Sequence, residues 1–346
     1  MREPLMPLAS STDRASSRSR RPSLIGLALL AVGLGLFALA VARAGVSAIG
    51  AQLSRVGPRA VWLLLPYAVG TALGALPWAA LLPSELRPRL LGVVSGRFVA
   101  SSANALLPFF GLAGEPTRLL WLGPEARARG LAAIVVDRVL YNCSNGFLLL
   151  GGAAVALEAT HLPRPLSLGA AGAALATLAV TGALMWGAIR SGVGRRVQAL
   201  LRRMLGKLYT ADSFGAEVDA ELLSLVRERP LRLGLGVLTH MLARSVILLE
   251  VYLALRLLGV AFSPADAVVL AVVPIGLSLF FSSVPSQLGI QEGGQALVAA
   301  ALGMSPSVGV TLVLLQRFRQ LVFAAVAPLL LELGRPTPSE PRGPRS

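Results

Sequence analysis

The chain predicts an all-α fold, a polytopic transmembrane helical bundle of seven to nine membrane segments, and three observations predict it. Of 346 residues, 55% are hydrophobic and 14% charged, and the apolar residues gather in runs of about 20, the length that carries a helix across the hydrocarbon core. Ten ionisable side chains nevertheless fall in or beside these runs. On insertion scales each costs about 2.5–3.5 kcal/mol unless it faces a cavity or a partner. Third, two apolar stretches half a chain apart each break at a proline and carry a glutamate seven residues later: Pro108 to Glu115 in LLPFFGLAGEPTR and Pro285 to Glu292 in SSVPSQLGIQEGG.

The elements follow in order. Residues 1–23 are rich in Ser, Pro and Arg and read as a disordered basic tail. Arg14, Arg18, Arg20 and Arg21 then precede an apolar run, and Ala40-Val41-Ala42 mimics a cleavage site. The run is too long for an export signal and further spans follow, so Leu24 to Val41 reads as an uncleaved first span with its N-terminus in the cytoplasm. Val61 to Leu82 is the second span. The segment from Leu91 to Gly114 is broken at Pro108 and Gly111. Proline removes an amide donor and glycine relaxes the helix, so this backbone must line protein or water instead of lipid.

Two further spans, Leu131 to Leu157 and Leu168 to Ile189, lead to a loop over 190–232 that holds Arg190, Arg195, Arg196, Arg202, Arg203, Lys207, Arg227, Arg229 and Arg232. The positive-inside rule places that loop in the cytoplasm, which requires the first broken segment to re-enter rather than cross. Within the loop, Val197, Leu200, Leu201, Met204, Leu205 and Leu208 fall at helical spacing with arginines on the other side. Such a helix lies in the headgroup plane or packs on the protein's own surface, and spacing alone does not choose. Leu233 to Leu258 and Ala265 to Phe281 are spans. The second broken segment, Ser282 to Gly303, turns on Pro285 and Gly289, and Val308 to Leu331 is the last span. The whole is one transmembrane domain over 24–334, in two halves, 24–160 and 168–334, followed by a disordered tail over 335–346. From Pro108 to Arg138 and from Pro285 to Arg317 the spacing is nearly equal, the pattern of a diverged repeat.

The intramembrane charges sort by geometry. Arg138, Asn142 and Asn145 stand at i, i+4 and i+7, with Asp137, Tyr141 and Ser144 beside them. His240 and Arg244 share a helix face, whereas Arg244 and Glu250, six apart, point to different partners. Glu115 and Arg118 are spaced to pair locally. Gln316, Arg317, Arg319 and Gln320 form a patch in the last span, with Arg317 about 14 Å along the helix from Val308. Singly, each charge fits a structural ion pair equally well. Together, six arginines against four acids favour a site for an anion, because the guanidinium fork matches phosphate and helix N-termini add donors.

Other classes lack their residues. The net charge of +15 comes from arginines in tails and loops, not from a basic face with base-reading side chains, so nucleic acid is not expected. Gly206-Lys207 lacks the spacing of a phosphate-binding loop, and no nucleophile elbow occurs. Two histidines, His161 and His240, and the lone Cys143 assemble no zinc site. No cofactor, metal or enzymatic activity is expected.

In Arg97 with Asn104-Ala-Leu-Leu-Pro108, Gly114-Glu115, Arg118, Asp137-Arg138, Pro285 through Leu288-Gly289-Ile290-Gln291-Glu292, and Arg317, the chain resembles the flippase-like family of the lysylphosphatidylglycerol synthase transmembrane region. The resemblance implies an inner-membrane fold with re-entrant helices around a polar cavity, moving lipids or lipid-linked intermediates between leaflets. Bifunctional members carry a soluble aminoacyl transferase domain after the membrane part; here only Glu332 to Ser346 follows the last span, so that activity is expected to be missing. Pro285-Ser-Gln departs from the glycine-rich turn usual there.

The expectation is a lipid translocase of a bacterial cytoplasmic membrane. Arg97, Asn104, Arg118, Arg138 and Arg317 would hold an anionic headgroup, and Glu115, Asp137 and Glu292 would orient the arginines or carry a coupling proton. Membrane lipids are the expected partners, with proteins of envelope biosynthesis as further candidates. The rival expectations are a secondary transporter for a soluble anion and a non-transporting assembly partner in envelope lipid synthesis.

Overall fold

The computed structural model describes residues 24–106, 114–159, 162–205, 213–281, 284 and 287–333, and every regular element among them is helical. Pro108, Gly111, Pro285, His161, Lys207 and both tails lie outside the described residues. α1 (Leu24–Ala44) turns at Gly45 into α2 (Val46–Val56). A 3₁₀ stretch, Gly57–Leu63, then leads into α3 (Leu64–Leu73) and α4 (Leu76–Leu81). The apolar path here starts earlier than the expected span at Val61. It runs as one stack from Val46 to Leu81, interrupted where Pro77 opens α4.

α5 (Leu90–Leu106) precedes the first break, and a 3₁₀ turn, Glu115–Trp121, follows it. The long helices α6 (Arg127–Ala159) and α7 (Arg164–Ser191) come next. The basic loop folds into α8 (Val193–Leu205) and α9 (Phe214–Glu228). α10 (Pro230–Leu258), α11 (Pro264–Phe280), α12 (Ile290–Ala301) and α13 (Pro306–Leu333) complete the order.

Among the described residues, four stretches are long and apolar enough to cross a bilayer: Val46–Leu81, Pro124–Glu158, Arg164–Ser191 and Pro306–Glu332. The protein is therefore a multi-pass membrane protein. α10, at 29 residues, matches them in length but carries Arg232, Arg244, Glu250 and Arg256.

The two halves interdigitate. α5 of the first packs along α13 of the second, and α11 packs on α6. Buried apolar side chains form one core around Trp78, Leu81, Leu140 and Leu222 and another around Leu63, Leu255, Leu270 and Leu312. α9 sinks Val218, Leu222 and Leu225 into the first core. α8 docks on α9 through small and polar groups. The Gly194 amide donates to Asp219 Oδ1 at 2.6 Å, and the Gly215 amide donates to Gln198 Oε1 at 2.7 Å. Leu200 and the α8 arginines stay exposed, so the loop helix packs on its own protein along one side and keeps the rest of its surface outward.

Local chemistry sets the ends and the breaks. Ser263 and Asp266 form a reciprocal capping box at the start of α11, with Pro264 at its first helical position. Pro274, inside α11, cannot donate to the carbonyl of Leu270. The Nε2 of Gln295, from α12, fills that vacancy at 2.8 Å. Glycine permits two close approaches. Gly289 holds φ at 76°, and a Cβ there would fall 2.4 Å from the Phe37 amide of α1. At Gly309 a Cβ would lie 2.2 Å from the Gln295 carbonyl, so α13 meets the α12 backbone directly. Gly309→Ala should therefore lower stability by about 1–3 kcal/mol, the cost of forced overpacking, read as a reduced thermal midpoint in detergent. An unchanged midpoint would show that the two helices do not meet there.

Candidate functional site

The first break is closed by Asn104 near the end of α5. Its Oδ1 accepts from the Gly114 amide at 2.7 Å, and its Nδ2 donates to Glu115 Oε1 at 3.3 Å. One short amide thus satisfies backbone freed by the break and fixes the carboxylate that follows it. Glu115 is buried and surrounded by cations: Arg97 at 3.7 Å, Arg118 at 3.0 Å and Arg138 at 3.8 Å. Arg118, 1% exposed, bridges Glu115 to Asp137 Oδ2 at 2.8 Å and lies 4.6 Å over the Trp78 ring. The other oxygen of Asp137 meets His240 Nε2 of α10 at 2.9 Å, and His240 stands edge-on to Tyr141. A file of polar groups, Glu115, Arg118, Asp137 and His240, therefore runs from the 3₁₀ turn after the break through α6 to α10 inside the protein.

The second break repeats the theme with different parts. Glu292, fully buried, accepts the Gly289 amide on Oε2 at 2.7 Å, which caps α12, and receives Arg317 Nε of α13 on Oε1. Arg319, on the same helix, pairs with Glu250 of α10 and lies 4.0 Å over the Tyr67 ring. In each half, then, the glutamate after the break is paired with an arginine of the next long helix, Glu115 with Arg138 and Glu292 with Arg317.

Between the two clusters lies a cavity of about 440 Å³, walled by α5, α6, α10, α11, α12 and α13. Five arginines reach its lining, Arg97, Arg138, Arg244, Arg317 and Arg319, against one carboxylate, Glu115. Three of them converge on the Tyr141 ring, with guanidinium carbons at 5.6 Å for Arg97, 5.0 Å for Arg138 and 4.7 Å for Arg244. Arg244 holds its position through neutral groups, donating from Nε to Asn145 Oδ1 at 3.2 Å and from Nη2 to the Tyr141 hydroxyl.

Of the residues singled out in the sequence, Arg97, Asn104, Glu115, Arg138 and Arg317 line this cavity. Arg118, Asp137 and Glu292 stand behind its wall. Arg118 differs from its expected substrate-holding role: both of its carboxylate partners are protein groups, and it holds the wall in place. Glu292 likewise spends both oxygens on a helix cap and an arginine. Gly289 is the residue before α12, as a break requires, while Pro108, Gly111 and Pro285 fall outside the described residues. Arg244 and Glu250 do have different partners, as their six-residue spacing implies. Tyr141, Gln287 and Gln291 join the lining without having been selected. Tyr141 sat in view on the polar stripe of α6, but nothing in the sequence announces that three arginines from two other helices and its own gather on it.

Helices of membrane length around an interior hollow rich in arginine define a multi-pass membrane protein with a polar internal cavity. Residues 23–327 match the family described as lysylphosphatidylglycerol synthase TM region, and the chain belongs to that family. No curated protein and no solved structure matches it.

Removing Arg118 would leave Glu115 and Asp137 buried beside each other with too little positive charge. Arg118→Ala should cost about 3–5 kcal/mol of stability, whereas Arg138→Ala, at a side chain 29% exposed to the cavity, should cost far less. Thermal unfolding of both variants in detergent checks the order, and equal losses would refute the division between wall and lining.

Proposed function

We propose that this protein moves an anionic lipid between the leaflets of a bacterial cytoplasmic membrane, holding the headgroup in the cavity against Arg97, Arg138 and Arg244. The observation that carries the proposal is the gathering of those three guanidinium groups on Tyr141 with one carboxylate among them. Elsewhere charge is matched within the protein: Arg317 by Glu292, Arg319 by Glu250 and Arg118 by Asp137. Glu115 then offsets only part of the remaining cluster, and a surplus of positive charge faces the hollow. A phosphate ester brings about one to two negative charges and accepts forked guanidinium hydrogen bonds, so its chemistry fits the surplus. Family membership supports a membrane-embedded role, and the expected movement of lipid between leaflets rests on the family resemblance together with the cavity.

In this reading Glu115 orients Arg97 and Arg138, and Asp137 holds Arg118 in the wall. Arg317 and Glu292 fasten the second break. The cavity binds and releases; it makes and breaks no covalent bond. The basic helix α8 lies on the cytoplasmic side.

Liposomes containing the purified protein and a labelled anionic phospholipid test the proposal. Loss of one charge-assisted contact should slow transbilayer movement about tenfold or more in Arg138→Ala and in Arg244→Ala, with the label's accessibility to a membrane-impermeant quencher as readout. Wild-type rates in both variants would refute it.

A further inference from the structure

The cavity has a second wall of different character. On its α11–α13 side, beside the paired Arg317 and Arg319, Ser278 of α11, Gln287, Gln291 of α12, and Gln316 and Gln320 of α13 present amides and a hydroxyl with no carboxylate among them. Resting on the anion-binding reading of the cavity, we infer that this wall receives the hydroxyls of a sugar or cyclic polyol joined to the phosphate, and so selects a glycosyl- or polyol-phosphate lipid.

The hydrogen-bond inventory points that way. Gln291 Nε2 donates to Gln287 Oε1 and Ser278 Oγ, and Ser278 Oγ donates to Gln287 Oε1 at 3.0 Å. This network fixes both amide orientations, since turning Gln291 over would set its oxygen against that of Gln287. What remains is complementary. Gln291, 9% exposed, keeps in Oε1 a buried acceptor with no hydrogen-bond partner among the described residues. The Gln287 oxygen is already doubly engaged, which leaves its NH2 group as a donor. A hydroxyl needs one acceptor and one donor, and the pair offers both. An unfilled buried acceptor is costly in an empty site and is satisfied when a ligand donor arrives.

Backbone geometry supports a designed position. Gln287 has φ at 48°, and among the described residues it is the one non-glycine residue with positive φ. Such conformations persist where the surroundings enforce them and concentrate at ligand sites. Gln316 and Gln320 lie one turn apart on α13 and, among the described residues, make no side-chain hydrogen bond to protein, so each brings a free donor and acceptor to the same hollow.

Size and charge exclude two other headgroups. A volume of about 440 Å³ holds roughly fifteen waters at about 30 Å³ each, far more than a bare phosphate displaces. An aminoacylated, cationic headgroup would find Glu115 as the one lining carboxylate among the described residues, already among three arginines.

The test is competition for the full-length protein in detergent against a fluorescent anionic phospholipid. The competitors are phosphatidylinositol, phosphatidylethanol of equal charge without free hydroxyls, lysylphosphatidylglycerol, and soluble inositol 1-phosphate. Phosphatidylinositol should bind about tenfold more tightly than phosphatidylethanol, the effect of one or two net hydrogen bonds. The double variant Gln316→Leu, Gln320→Leu, which breaks no protein hydrogen bond, should abolish that preference and leave phosphatidylethanol affinity unchanged. Arg138→Ala should weaken both equally. Equal binding of the two lipids by wild type, or tighter binding of the lysyl lipid, overturns the inference while leaving the translocase reading standing. Failure to bind any of the anionic lipids overturns both. Inositol 1-phosphate competing as well as phosphatidylinositol supports the polyol site but assigns it to a soluble ligand, against lipid transport.

Discussion

A buried carboxylate directly after each helix break, held by arginine, is the constraint on which the rest of the bundle depends. A break inside a membrane protein frees backbone amides and carbonyls that lipid cannot satisfy. In the first half Asn104 receives the Gly114 amide and hands a donor to Glu115. In the second, Glu292 itself receives the Gly289 amide. Once the carboxylates are in place their charge must be matched, because removing one partner of a buried pair is far more damaging than never having had the pair. Arg118, bridging Glu115 to Asp137 of α6, and Arg317 of α13 supply the match, which ties α6 and α13 to the breaks and leaves a hollow between the halves.

That hollow survives because the halves interlock instead of standing side by side. α5 lies along α13 and α12 against α1, so the described helix of each broken segment packs on a helix from the other half. Close backbone approach, at Gly309 against Gln295 and at Gly289 against α1, brings polar groups of different helices within reach of one another without bulky side chains between them. The result is a division of labour among charges. Arg118, Asp137, Glu250 and Glu292 pair within the wall, while Arg97, Arg138 and Arg244 crowd one tyrosine and face inward.

Much of this was legible in the chain before any coordinates. Apolar run lengths announce the all-helical membrane fold, and the cost of intramembrane charge marks the residues of the site. The i, i+4, i+7 stripe of Arg138, Asn142 and Asn145 is a local pattern, and all three line the cavity. What the sequence could not give is pairing between distant segments. Arg118 looks like Arg138 by residue type and neighbourhood, yet a stacked Trp78 and the carboxylate of Asp137 draw it behind the wall. The apolar path from Val46 was legible only from Val61, because α2 is amphipathic with a modest apolar content. Gln287 carries no signal in a string of letters: its role comes from a backbone angle and two neighbours nine and four residues away.

The contact between Gln295 and the Leu270 carbonyl has a mechanical meaning. Pro274 leaves that carbonyl without its helical donor, and the replacement comes from another helix altogether. Sliding α12 along α11 would strand an oxygen in a medium offering no substitute, at a cost of several kcal/mol. The two helices are thus coupled like a tongue in a groove, and any rearrangement that opens the hollow to either side must carry them as one rigid strut.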